Sequence, residues 1–96
     1  MNSIIQAVDA TTEIIFSAGR GATVKTIIIS NADPDDVTIT VNLKLKQGDK
    51  EIHIMPRNQD IAAEGIYKVD GDIYMNQYQV LELTTTGLAH IYIMTE

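Results

Sequence analysis

The sequence predicts an all-β chain: a small antiparallel β-sandwich or jelly-roll-like barrel of seven to eight short strands. Three observations carry that reading. The run Val37-Thr38-Ile39-Thr40-Val41-Asn42-Leu43-Lys44-Leu45-Lys46 alternates apolar and polar residues at every step, the period of a strand with one buried face. Clusters of Gly, Pro, Asn and Asp punctuate the chain roughly every 8–12 residues, as turns do in a sandwich. No segment sustains a helical period; the best candidate, Asp60-Ile61-Ala62-Ala63-Glu64, meets Gly65 at once and reads as a loop.

Taken in order, residues 1–11 form an N-terminal arm or edge strand, because Ile4, Ile5 and Val8 follow no sustained alternation. Residues 12–96 form a single β-sandwich domain. Its first strands are Glu13–Phe16 and Thr23–Ser30, joined at Ala18-Gly19-Arg20-Gly21 by a tight hairpin that uses glycine's freedom at positive φ. The G-x-G there opens a β-branched run and not a helix, so it lacks the helix N-terminus a dinucleotide fingerprint needs. Asn31–Asp36 is turn chemistry. The alternating strand follows, with its odd positions Val37 to Leu45 turned inward, and Gln47-Gly48-Asp49 predicts a hairpin into Lys50–Met55 with Ile52 and Ile54 inward. After the break at Pro56–Asn58 come Ile66–Val69, a turn at Asp70-Gly71-Asp72, Ile73–Met75, Gln79–Thr85, a turn at Thr86-Gly87, and Leu88–Met94.

Composition narrows the function. Ninety-six residues make one domain with a small core and no second lobe to enclose a cleft. The absence of cysteine removes disulfides, thiolate zinc sites and cysteine nucleophiles. Thirteen acidic against seven basic residues, a net charge of −6, argue against nucleic-acid and membrane partners. The longest apolar run, Ile27–Ile29, falls far short of the ~18 residues of a membrane span. The N-terminus lacks a signal peptide's basic region and apolar run, so synthesis in the cytoplasm is expected.

Asp33, Asp35 and Asp36, with Asp70 and Asp72, offer carboxylates, but the spacing of a calcium loop is missing and no metal is expected. Ser3, Ser17 and Ser30 lack a nucleophile-elbow setting, so no catalytic residue, no cofactor and no enzyme activity are expected. His53 and His90 sit beside inward residues and should point outward. Lys44, Lys46 and Lys50 read as a solvated basic stripe. Tyr67, Tyr74, Tyr78 and Tyr92, with Met55, Met75 and Met94, divide between core and interface, since tyrosine joins apolar area to a polar tip.

Three blocks resemble a known family. Phe16-Ser17-Ala18-Gly19-Arg20-Gly21-Ala22-Thr23-Val24-Lys25-Thr26-Ile27-Ile28-Ile29-Ser30-Asn31, the stretch Met55–Gly65, and Val80-Leu81-Glu82-Leu83 with the closing Ala89–Met94 are similar to small structural proteins of tailed-bacteriophage virions. Met75-Asn76-Gln77-Tyr78 departs from the family's compact Gly-Asp turn, and residues before Thr12 have no counterpart. The resemblance implies a non-enzymatic β-sandwich that decorates or cements the outer capsid surface of the virion. Its partner would be the major capsid protein or another virion protein, and it would form a homo-oligomer in the particle. A neck, tail or fibre-associated component is the alternative, and a carbohydrate-binding module a third reading. The residues expected at the partner contact are Ile4, Ile5, Asp33, Asp35, Asp36, Arg57, Asn58, Tyr74, Met75 and Tyr78.

Overall fold

Period-two patterning builds strands throughout the computed structural model, which describes residues 2–96. Among them run nine strands: β1 (Asn2–Asp9), β2 (Thr12–Ser17), β3 (Gly21–Asn31), β4 (Ile39–Gln47), β5 (Lys50–His53), β6 (Gln59–Ile61), β7 (Ile66–Asn76), β8 (Gln79–Thr85) and β9 (Leu88–Thr95). One sheet has the order β1-β9-β3-β7; the other has β2-β8-β4-β5, with β6 also pairing β4. The pairing is nested in sequence, β1 with β9, β2 with β8, β3 with β7 and β4 with β5, all antiparallel. This is one long hairpin folded back on itself. The β3–β9 and β4–β8 ladders then close it into a roll, so the two-sheet sandwich has jelly-roll order.

The inward positions of the two sheets form one apolar layer. Val24, Ile27, Ile29, Ile91 and Ile93 come from the β1-containing sheet, and Ile39, Val41, Leu43, Leu81 and Leu83 from the other. Bulges adjust which residues reach it. At Lys25, β3 carries one extra residue against β9, so the inward phase moves from Val24 to Ile27 and Ile29 and leaves Ile28 on the outer face. A second bulge places Ile15 in the core between Ile14 and Phe16.

Of the two forms expected for the N-terminal segment, arm or edge strand, the structure has the edge strand, running from Asn2, laddered to β9 along its whole length and anchored by the buried Val8; Met1 lies outside the described residues. Several other expectations need correction. Ala18–Gly21 is a tight turn, with Gly19 at φ 61° and the Gly21 N–H donating to the Ala18 carbonyl at 2.9 Å, but it carries the chain from one sheet to the other and is not a hairpin. Asp70-Gly71-Asp72 is no turn: the ladder to β3 runs through it on a bulge, so the two expected strands are the single β7. Strand β4 starts at Ile39, which leaves Val37 exposed. Ile52 is 61% exposed although it faces Leu45, because β5 is an edge strand with nothing beyond it; Ile54 packs against the core as expected. Part of the expected loop, Gln59–Ile61, adds β6 to the sheet.

If the shared layer holds the sheets together, Leu83→Ala should lower unfolding free energy by about 2–5 kcal/mol in urea titration. Ile14→Ala, on the exposed side of β2, should change it by no more than about 0.5 kcal/mol.

Candidate functional site

The predicted contact residues divide among four places in the roll. At one end, the chain crosses between sheets through Asn31–Val37, Ala62–Gly65 and Thr85–Leu88. The buried Asn31 binds these crossings together: its Nδ2 donates to the carbonyls of Val37, Ile61 and Ala62 at 2.7, 3.0 and 3.2 Å, and its Oδ1 accepts from the Asp33 N–H at 3.0 Å. Asp33 in turn accepts from the N–H groups of Asp35 and Leu88 at 2.9 and 3.3 Å. Gly87 is required beside it, since a Cβ there would meet the Asp33 Oδ2 at 2.5 Å and the Ile39 Cγ2 at 2.6 Å. Asp33 therefore spends its carboxylate inside the turn. Asp35 and Asp36 are exposed and free to meet a partner.

On the outer face of the β4-containing sheet, Asn42, Lys44, His53, Arg57, Asn58 and Thr84 line an open hollow of about 260 Å³. Asn58 sits at φ 53° and is held there by Asn42, whose Oδ1 accepts from the Asn58 N–H at 2.8 Å and whose Nδ2 donates to the Asn58 Oδ1 at 3.1 Å. Lys44 pairs with Glu51 at 2.9 Å and Lys46 with Glu82 at 3.3 Å, so the expected basic stripe is interleaved with acids. The hydrogen bond from Lys44 holds the Glu51 carboxyl below the usual range. Arg57 has no carboxylate partner among the described residues, and His53 Nδ1 is shielded from solvent without a hydrogen bond. Chemically the hollow can receive one anionic or amide group.

At the opposite end, β7 and its turn into β8 carry the tyrosines. Tyr74 is 73% and Tyr78 79% exposed, and Tyr78 occupies the left-handed region at φ 73°. The Tyr74 hydroxyl donates to Asp72 at 3.1 Å, and Lys25 donates to both oxygens of the same carboxylate at 3.1 and 3.2 Å. Hydrogen bonds from Lys25 and then Tyr74 hold the Asp72 carboxyl below its usual value. Met75, between the two tyrosines, lies in the core at 3% exposure, because Ile73 and Met75 share the inward face of β7. Tyr67 also packs on the core, and His90 points outward as expected.

The fourth place is the outer face of the β1-containing sheet. Ile5 lies opposite Tyr92 and Tyr92 opposite Ile28, giving an apolar row across β1, β9 and β3 flanked by Met94. The exposure of Ile5 was legible in the sequence and the outward turn of Ile28 was not, since only the Lys25 bulge produces it. Among the described residues no cluster of three or more His, Asp or Glu is placed to hold a metal ion, and no helix is long and apolar enough to cross a membrane. A scan against protein-family models and a search of curated proteins find no match to this chain.

Asn31→Ala strands buried carbonyls and should destabilise by about 3 kcal/mol in urea. Lys25→Ala should move the Asp72 titration upward toward the ordinary carboxylate range, read by NMR. The Asp72 pairing favours the fold above that range and is lost as pH falls through the lowered pKa, with a small amplitude because the pair is exposed to solvent.

Proposed function

We propose that the chain is a non-enzymatic structural protein of a bacteriophage virion, a decoration or cement protein that binds the assembled major capsid lattice and stabilises the head. The observation that carries this reading is the tyrosine end of the roll. Two large amphipathic side chains stand about three-quarters exposed there, one of them on backbone that costs a non-glycine residue roughly 1–2 kcal/mol. A bulky residue held exposed at that cost is explained by a contact made with another molecule. Tyr74 is further oriented by Asp72 and Lys25, which lowers the entropy it loses on docking.

The family resemblance of the strand and turn blocks and the jelly-roll order both support a virion role, the latter as a fold-level analogy, since jelly rolls build viral capsid domains as well as lectins. The mechanism is linkage. A module that binds the assembled lattice better than free subunits shifts the equilibrium toward the intact shell. The tyrosines supply contact area; the exposed Asp35 and Asp36 lie at the opposite end of the roll and Arg57 on the outer face of the β4-containing sheet, so the charge complementarity they offer is to further neighbours in the lattice and bears on specificity and encounter rate more than affinity.

Tyr78→Gly separates the two roles of that residue. Its unfolding midpoint should equal or exceed the parent's, because the strained φ is relieved, while its affinity for purified heads in a sedimentation assay should fall by about tenfold or more. Unchanged head binding in the variant, or no head binding by the parent protein, would contradict the proposal.

A further inference from the structure

We infer that β1 is a self-association edge: two copies of the chain pair β1 against β1, antiparallel, about a twofold axis through Ile5. The two four-stranded sheets then become one continuous sheet. The inference goes beyond the virion reading and is independent of it.

The roll leaves four strand edges open among the described residues, and three of them carry features that discourage pairing. β7 is interrupted by the Gly71 bulge and carries Lys68, Asp70 and Asp72. β2 is short, bulged at Ile15 and carries Glu13. The β5–β6 edge is split by a stretch containing Pro56 and carries Lys50, Glu51 and Asp60. β1 has none of these. It runs Asn2–Asp9 in unbroken register with β9, without Pro, Gly or bulge, and without a charged residue before Asp9. Every second residue of such a strand points its N–H and C=O away from its one neighbour, and the only ladder β1 forms among the described residues is with β9.

The side chains identify the occupant as a second copy. Ile4 lies opposite the buried Ile93 and so faces the sandwich interior, yet it is 41% exposed; Ile5 faces outward and is 78% exposed. The open edge therefore leaves apolar surface on both faces of one strand, and only another strand laid alongside covers both. A second β1 brings an Ile4 to the interior side and an Ile5 to the outer side, so the contact is self-complementary under twofold symmetry. With Ile5 on the axis, directly opposed residues share a face, as an antiparallel ladder demands: Ile4 of each copy lies opposite Gln6 of the other, and Ser3 opposite Ala7. The outer row Ile28–Tyr92–Ile5 continues through the axis into the same row of the second molecule. Two chains of net charge −6 repel at long range, but next to the proposed axis the outward residues Ser3, Ile5 and Ala7 of β1 and Met94, Tyr92 and His90 of β9 include no Asp, Glu, Lys or Arg; the nearest charge on the edge itself is Asp9 at its end.

The absence of cysteine supplies a clean test in solution, without capsids. Opposed Cβ atoms on paired strands lie about 4.5–5.5 Å apart, close enough for a disulfide after a small adjustment. Under mild oxidation Ile5→Cys should form a covalent dimer much faster than Ile66→Cys, an equally outward position on the β7 edge. In sedimentation, the unmodified protein should show a concentration-dependent dimer, and Ile5→Lys should weaken it about tenfold or more, while the unfolding midpoint measured at concentrations where the parent is monomeric stays in place, since this side chain lies outside the core. A parent protein that stays monomeric at high concentration, equal cross-linking rates at the two positions, or an Ile5→Lys dimer as stable as the parent's would overturn the inference. Should Ile5→Lys fail to fold, the two cysteine variants decide it alone.

Discussion

Among the described residues the two sheets of this roll exchange no ladder hydrogen bonds, so the layer of side chains between them is what holds them face to face. Most connections, including all those flanking β1, β2 and β3, carry the chain from one sheet to the other, and each crossing makes its strand's inward residues part of the same layer. With no cysteine and one small core, little else can compensate for a defect there. That explains why Ile, Val and Leu dominate the inward positions and why a single buried amide, Asn31, is fully committed to the crossings at one end.

Much of the fold was legible in local chemistry. The β4 alternation, the Gln47-Gly48-Asp49 hairpin and the strands β8 and β9 follow from period-two patterning and turn residues alone. What failed did so where long-range pairing overrides local signals. Asp70-Gly71-Asp72 has the composition of a turn, yet β3 supplies a ladder on which those residues form a bulge. Ala18–Gly21 looks like a hairpin because a tight turn has the same chemistry whether its strands return to one sheet or part between two. The N-terminal strand was obscured for a different reason: an edge strand with little buried on either face shows no clean alternation.

The candidate contacts were legible to a lesser degree. Exposure of Ile5, Tyr74 and Tyr78 agrees with their reading as surface anchors, because residue type alone carries that signal. Asp33, Asn58 and Met75 show its limit. Asp33 satisfies its own turn, Asn58 is tied back to Asn42 on β4, and a methionine beside two exposed tyrosines faces the core whenever the strand's parity turns it inward. The acidic charge also acquires a location: Asp33, Asp35 and Asp36 cluster at the Asn31 end, while the outward residues of β1 from Ser3 to Ala7 and their β9 partners carry no acid or base. The surface is thus divided into an acidic end, a polar hollow, a tyrosine end and an apolar edge.

The central claim, that this roll is a component of the shell, is tested most directly by a density map of intact particles. The account places this fold on the outer surface of the head, with its tyrosine end against the major capsid protein. Particles that lack it altogether would contradict that claim.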